Sequence, residues 1–498
     1  MENISDRFDI ESKIENSSLI RRSAKSRSLF EKAELVFFAA VGFGCVISLL
    51  RLVMGVRLPF ELGIDGESIV LAAANRIAQG LSPYPPITQQ LPYIINLYGP
   101  VPYYLGAVCI KSFGVSFTAP RILVAVSAGW CAVIIALLVH HWGGSPRVSA
   151  VFGALYVAMG PTQEWLVYYR VDLIGIAFAL TGLYIYAKSR RQYFSVLFFA
   201  TALFCKFTLL SAPFACFADA LCRREWRKAF GFAACSLALG SLLFLWMQQE
   251  TQGWFGVHTI LANTRCPYSL SAALKSIYKD QLNPACCLVV LGVALVYYAL
   301  SCPDLRLPVI YLGGAFLSLL AAGKAGAADN YFLESYAALC LCGGIAYQLL
   351  RKQAHFQSMV SALLPTTLAI YVMLNLHSAR QPAPYSECRQ AYDYVKAESA
   401  TDVLSDNLGA VLMAGKPILI NGPFLWSSQI ANGGWPETDS NLVELIRSHQ
   451  LGLILLSSRI DGAVEPWPEP VLDATRENYV LTKTFTCPGA EFVYRPRP

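Results

Sequence analysis

The sequence predicts a polytopic α-helical membrane protein with a small C-terminal extracytoplasmic α/β domain, and three observations carry that prediction. Charged residues make up only 14% of the 498 and hydrophobic ones 55%, with a mean hydropathy of +0.45; soluble domains carry about 25% charged residues. Apolar runs of spanning length recur through the first three quarters of the chain, each close to the roughly 20 residues a bilayer helix needs. The charge is also partitioned: residues 377–498 hold 10 basic and 14 acidic side chains, and the preceding 376 hold 29 and 19. This composition excludes a cytosolic enzyme, a disordered regulator and a disulfide-stapled secreted module. A nucleic-acid partner would need clustered basic residues interleaved with reading groups, and the basic residues here stand between apolar runs instead.

Residues 1–34 are polar, with Arg21, Arg22, Lys25, Arg27 and Lys32 just before the first apolar run, which reads as an uncleaved cytoplasmic start. Spans are expected at 35–55, 119–142, 148–169, 173–187, 229–247, 285–301, 307–322, 331–350 and 357–376. Basic residues mark cytoplasmic loops: Lys188, Arg190 and Arg191, then Arg223, Arg224, Arg227 and Lys228, then Arg351 and Lys352. Between the first two loops, 193–221 is interrupted by Lys206 and Pro213 and is best read as two short helices that go out and return, with Lys206 at the outer turn. Segment 94–117 carries Pro100, Pro102 and Lys111. Counting it as a span would put every later basic loop outside, so it is expected as a broken, half-embedded helix on the outer side. About eleven transmembrane helices result, with residues 1–34 inside, 35–376 forming the membrane domain and 377–498 outside.

In the tail, helix-like SECRQAYDYVKAES and NLVELIRSH alternate with strand-like DVLSDN, GKPILING, LGLILLSS and FVYRP. Most of the 15 cysteines sit in apolar runs as small hydrophobes. Cys388 and Cys487 could pair if the tail faces an oxidising compartment.

The expected outer face collects charges that are costly at a membrane boundary and therefore functional candidates. Asp65 and Glu67 open a helix-spaced segment; Arg170 and Asp172 lie at the junction of two spans; Lys206 stands alone in its hairpin; Asp329, Asn330 and Glu334 precede a late span. Each has a structural alternative. Asp65 could be a helix N-cap, Arg170–Asp172 an interfacial ion pair, Lys206 a snorkelling lysine, and Asp329 and Glu334 structural acids. Tyr84 and Tyr98, with Tyr103 and Tyr104, read either as an interfacial belt or, for the first two, as substrate contacts. Together the charges suit transfer of a sugar from a lipid phosphate: a carboxylate takes the acceptor's hydroxyl proton, and a cation stabilises the departing phosphate.

At these residues the sequence resembles the GT-C superfamily of membrane glycosyltransferases, in particular the protein-mannosyltransferase and aminoarabinose-transferase group. Asp65-Gly-Glu67, GLSPYPP, LYGPVPYYLGA, Phe113-Gly114 and Ala119-Pro-Arg121 follow that group's order of an acidic residue, "G-x-x-P-Y", a proline/aromatic helix, "F-G" and "A-x-R". YYRVDLIGIAFALTGLYIYA, FATALFCKFTLLSAPFA and GAADNYFLESYAALCL resemble its second acidic site, its short-helix pair and a late motif. The resemblance implies a GT-C-like fold, Asp65 as catalytic base, Asp172 as second acidic residue and Lys206 near the donor phosphate; Arg170 joins on charge grounds alone. Gly66 separates the group's usual adjacent acidic pair, which leaves the base between Asp65 and Glu67, with Asp65 favoured. It implies an inverting enzyme using a polyprenyl-phosphate-sugar donor and an extracytoplasmic glycolipid, polysaccharide or protein acceptor, with no nucleotide used directly. No ligand set demands a metal, and metal dependence stays open. The expected location is a bacterial inner membrane. The rival readings are a polymerase or ligase using lipid pyrophosphate, and a transporter or flippase.

Overall fold

The computed structural model describes residues 4–62, 66–88, 91–189, 192–353, 362–376, 385–400, 402–423, 425–427, 441–461, 467–487 and 492–498, with side chains from residue 28 on. Asp65 thus lies outside the described residues, as do Arg190 and Arg191 and the side chains of Arg21, Arg22, Lys25 and Arg27.

Among the described residues, six helices are long and apolar enough to cross a membrane, and a pair bent by 95°, Leu270–Leu282 with Cys286–Ser301, raises this to seven. Four shorter apolar helices accompany them. In chain order, α1 is Ile4–Val56, α2 Glu67–Ala78, α3 Pro100–Phe113, α4 Thr118–His141, α5 Pro146–Ala158, α6 Gly160–Trp165, α7 Val171–Lys188, α8 Ser195–Leu203, α9 Ser211–Cys222 and α10 Trp226–Glu250. The expected span at 148–169 is broken: α5 stops at Met159, whose extended backbone precedes Gly160 and Pro161 of α6. Proline has no amide hydrogen to donate to the carbonyl four residues back, here Val157, and its ring clashes with that carbonyl, so a helix stops before it and restarts with it in the first turn. Lys206 lies in the turn between α8 and α9, as expected, but is folded inward and buried. Segment 94–117 contributes the 14-residue α3, which packs on α2.

The ends of the bundle differ in chemistry. At one end, Arg223 bridges Asp219 at 3.0 Å and Asp304 at 3.3 Å, Trp142 donates to the carbonyl of Asp304, and Lys352 reaches the carbonyl of Gly143. Arg351 pairs there with Glu34 of α1 at 2.8 Å. The N-terminal ends of α2, α4 and α7 and the Lys206 turn meet at the other end.

Residues 385–498 include a four-stranded sheet, ordered β2–β4–β6–β5. The strands are β1 Tyr93–Ile94, β2 Val403–Ser405, β3 Ile420–Asn421, β4 Leu453–Leu456, β5 Tyr479–Thr484 and β6 Phe492–Pro496. β2 and β4 run parallel and β6 is antiparallel to both its neighbours. Helices Tyr385–Ala397 and Asn441–Arg447 fall where the amphipathic pattern puts them, whereas β5 and helices Leu408–Met413 and Glu469–Asn478 were not anticipated. GKPILING does not join that sheet: its β3 pairs in parallel with β1 of the first outer segment, Tyr93 opposite Ile420 and Ile94 opposite Asn421. Cys388 and Cys487 form a disulfide with Cα atoms 4.7 Å apart.

Candidate functional site

The N-terminus of α2 is held by a carboxylate that sequence reasoning passed over. Glu61 Oε1 accepts the backbone N–H groups of Gly66, Glu67 and Ser68 at 2.9–3.0 Å, satisfying donors that a helix start leaves without partners. Burial pushes the Glu61 carboxyl up, with the N–H bonds opposing. Its own N–H donates to the hydroxyl of Tyr392, which in turn donates to Asn407 Oδ1. The tail therefore grips the segment that contains Asp65.

Glu67 points into the protein. Its Oε1 accepts from Arg121 Nε at 2.8 Å and the Tyr169 N–H at 2.8 Å, and its Oε2 from Arg121 Nη2 at 2.6 Å and the Leu62 N–H at 3.1 Å. Arg121, fully buried, spends its remaining donors on the carbonyls of Gly55, Leu58 and Phe60. This bidentate pair welds α2, α4, the segment after α1 and the start of α7, and Glu67 lines none of the cavities described below.

Asp172, in the first turn of α7, and Lys206 are brought together. Lys206 Nζ donates to Asp172 Oδ1 at 2.6 Å, and Asn330 Nδ2 donates to the same oxygen at 3.0 Å. Lys206 also lies over the Tyr331 ring, 3.9 Å from its centroid, an attractive placement for an ammonium. Gly99 makes this approach possible: a Cβ there would collide with the backbone of Phe204, and the N–H groups of Gly99 and Val101 donate to the carbonyls of Cys205 and Phe204. Tyr98 is thereby set beside the Lys206 turn. Arg170 donates to the Tyr98 hydroxyl at 2.7 Å and to the carbonyl of Gly66, the residue after Asp65, at 2.9 Å.

Two adjoining cavities open on this group. The larger, about 530 Å³, has Lys206, Lys324, Asn263 and Thr208 among its polar lining and Leu97, Phe207, Ile260 and Tyr268 among its apolar lining. The smaller, about 160 Å³, is bordered by Arg170, Asn330, Asn421 and Ile69. Tyr98, Asn263, Lys324 and Tyr331 line both. Lys324, which the sequence reading did not single out, donates to Asn263 Oδ1. Burial pulls its pKa below the usual lysine value; the Cys266 side chain opposes this, and the nearby Lys206 adds to it.

Other candidates fall elsewhere. Tyr84 lines neither cavity and is not exposed in the manner of a belt residue: it is buried, donates to the Tyr98 carbonyl at 2.8 Å, and packs on Phe255, His258 and Tyr103. Tyr103 is buried too, and only Tyr104 is exposed in the manner of a belt residue. Glu334 is buried and accepts from the Ser211 hydroxyl at 3.2 Å, while Asp329 is exposed and outside the lining of both cavities. Of the late motif, Asn330 contacts Asp172 and the Tyr331 ring contacts Lys206.

His258 ties the segment after α10 to the segment between α2 and α3. The Asn96 N–H donates to His258 Nδ1 at 3.0 Å, so the ring proton sits on Nε2 and is donated to the carbonyl of Pro85 at 2.8 Å. Burial, then the positive Arg76, lowers its pKa to about 4. The unfolded chain binds this proton near pH 6.5, so the contribution is complete above about pH 6.5 and is lost as pH falls toward 4. Thermal unfolding in detergent should lose roughly 3 kcal/mol over that window, and His258→Gln should flatten this part of the profile.

No family model matches the sequence, and no curated protein matches it either. Solved structures do. ArnT from Cupriavidus metallidurans in the apo state superposes with a TM-score of 0.61 at 12% identity, over 92% of this chain and 97% of that one. The same protein bound to undecaprenyl phosphate gives 0.60 at 11%, over 91% and 97%. An Archaeoglobus fulgidus oligosaccharyltransferase tethered with an acceptor peptide gives 0.52 at 13%, over 93% and 74%. The fold is GT-C. At these identities the fold is what is shared, and with it the integral membrane character that the apolar helices display.

Proposed function

We propose that the protein is an inverting glycosyltransferase that moves a sugar from a polyprenyl-phosphate-linked donor to an extracytoplasmic acceptor. The observation that carries this reading is the larger cavity, with two lysines on its polar wall and an otherwise largely apolar lining, suited to a phosphate on an apolar tail. That a protein of the same fold binds undecaprenyl phosphate supports it.

Lys206 and Lys324 hold the donor phosphate. They contribute unequally: Asp172 already neutralises Lys206 at 2.6 Å, whereas Lys324 meets the neutral amide of Asn263 and the Cys266 side chain, with no carboxylate among its partners in the described residues. Asp172, with Asn330, fixes the direction of the Lys206 ammonium. Asp65 is the base, because all the contacts of Glu67 are structural. Arg170, bound to the Gly66 carbonyl, positions the Asp65 loop. In the reaction the acceptor oxygen bonds to the anomeric carbon as the bond from that carbon to the phosphate oxygen breaks. The hydroxyl proton passes to Asp65, and the electron pair leaves with the lipid phosphate beside the lysines.

The membrane domain 35–376 crosses about eleven times, in a bacterial plasma membrane. Its basic end, with Arg223, Arg351 and Lys352, faces the cytoplasm, and the domain 377–498 lies outside, consistent with its disulfide. The test is a turnover assay: purified protein with undecaprenyl phosphate carrying radiolabelled sugars, and a cell-envelope extract as acceptor. Label should pass to the extract with release of undecaprenyl phosphate. Absence of transfer across the panel would contradict the reading.

A further inference from the structure

A third cavity, about 490 Å³, lies between α2 and the C-terminal segment, and no step proposed above uses it. Its polar lining is one-sided. Three amides, Asn75, Gln79 and Asn421, and two cations, Arg76 and Lys416, border it, and among the described residues no carboxylate does. Lys416 is anchored on the carbonyls of Glu398 and Ala400. Arg76 donates from Nε to the carbonyl of Ser82 at 2.9 Å, and its two terminal nitrogens have no acceptor among the described residues.

The cleft is continuous with the site. Asn421 borders both it and the smaller chamber that contains Arg170. One turn of α2 separates Ile69, on the chamber, from Ala72 and Ala73, on the cleft. Since α2 starts at Glu67, Arg76 stands about 14 Å along the helix axis from the start of α2 at 1.5 Å per residue. Side-chain amides both donate and accept, which matches the hydroxyls of a sugar, and a guanidinium with free terminal nitrogens matches a carboxylate or phosphate. A peptide would be recognised by adding a strand to an open edge, and the two strands that border this cleft, β1 and β3, are two residues long each.

We propose that this cleft binds the acceptor, and that the acceptor is a glycan carrying an anionic group held about 14 Å along α2 from its start, with Arg76 on the anion and Asn75 and Gln79 on neighbouring hydroxyls. The assignment rests on the glycosyltransferase reading. Titration of the full-length protein in detergent with trigalacturonic acid and with its trimethyl ester tests it, because the two share their hydroxyls and differ in charge. The acid should bind saturably and at least tenfold tighter than the ester. Arg76→Gln should remove that difference, and Gln79→Leu, at an exposed position, should weaken both ligands. Equal affinity for acid and ester, unchanged binding in Arg76→Gln and Gln79→Leu, or no binding of the acid would overturn the proposal. Displacement of the acid by phosphatidylglycerol vesicles would reassign the cleft to a lipid headgroup and overturn it as well. Undecaprenyl phosphate binding, read by native mass spectrometry on the same samples, should be the same in wild type and both variants. Its absence in wild type would sink the donor reading instead, so the two failures are separable.

Discussion

Asp65→Asn should lower transfer by about 100- to 10,000-fold, the usual contribution of a positioned general base, while leaving the affinity for undecaprenyl phosphate within about twofold. The amide keeps the size of the carboxylate and loses its ability to accept the hydroxyl proton. Donor binding resides in the lysine cavity, which Asn at position 65 leaves intact. A variant that turns over at the wild-type rate would return the base assignment to another carboxylate. Glu67 is a poor alternative, since its oxygens are taken by Arg121, Tyr169 and Leu62. Glu67→Gln should therefore act mainly on folding.

Arg121→Ala should cost about 3–5 kcal/mol of stability, the range for removing one partner of a buried ion pair. The side chain is fully buried and serves Glu67 together with the carbonyls of Gly55, Leu58 and Phe60. Its removal leaves the buried Glu67 carboxylate without its counter-charge, held by the Tyr169 and Leu62 N–H groups alone, and takes a donor from each of the three carbonyls. Thermal unfolding and the yield of monodisperse protein in detergent give the readout. Glu67→Gln combined with Arg121→Met should recover part of the loss, because no unpaired charge remains. A double variant as unstable as the sum of the two singles would mean that the pair is not coupled.

The membrane helices were legible because an apolar run of about 20 residues has few other uses, and Arg223, Arg351 and Lys352, read from sequence as marks of one side, do gather at one end of the bundle. The pairing of Asp172 with Lys206 was legible only as a shared face, since a contact between positions 34 apart needs the α8–α9 turn to fold against the start of α7, where a Cβ at Gly175 would collide with Leu209. The break before α6 had a visible signal in Pro161, outweighed by the hydropathy of the run. Three features had no local signal. Glu61 resembles any loop acid until the chain folds back to present three N–H groups to it. Lys324 stands in a small-residue segment and gains meaning only when Lys206 faces the same cavity. The two-residue strands β1 and β3 are too short for periodicity, and Ile95 meets the Asn421 side chain across 326 positions. Tyr84 was misplaced for a related reason: an aromatic near a membrane boundary reads as a belt residue, whether its hydroxyl points to water or, as here, to a buried carbonyl.

The most direct test of the central claim is native mass spectrometry of the detergent-purified protein with undecaprenyl phosphate, comparing wild type, Lys206→Ala and Lys324→Ala. Saturable binding to wild type is expected, with the monophosphate preferred over undecaprenyl pyrophosphate. Lys324→Ala should weaken it at least tenfold, and Lys206→Ala should weaken it less, because Asp172 already balances that charge. Equal binding by all three proteins, or a preference for the pyrophosphate, would contradict the placement of the donor phosphate between the two lysines.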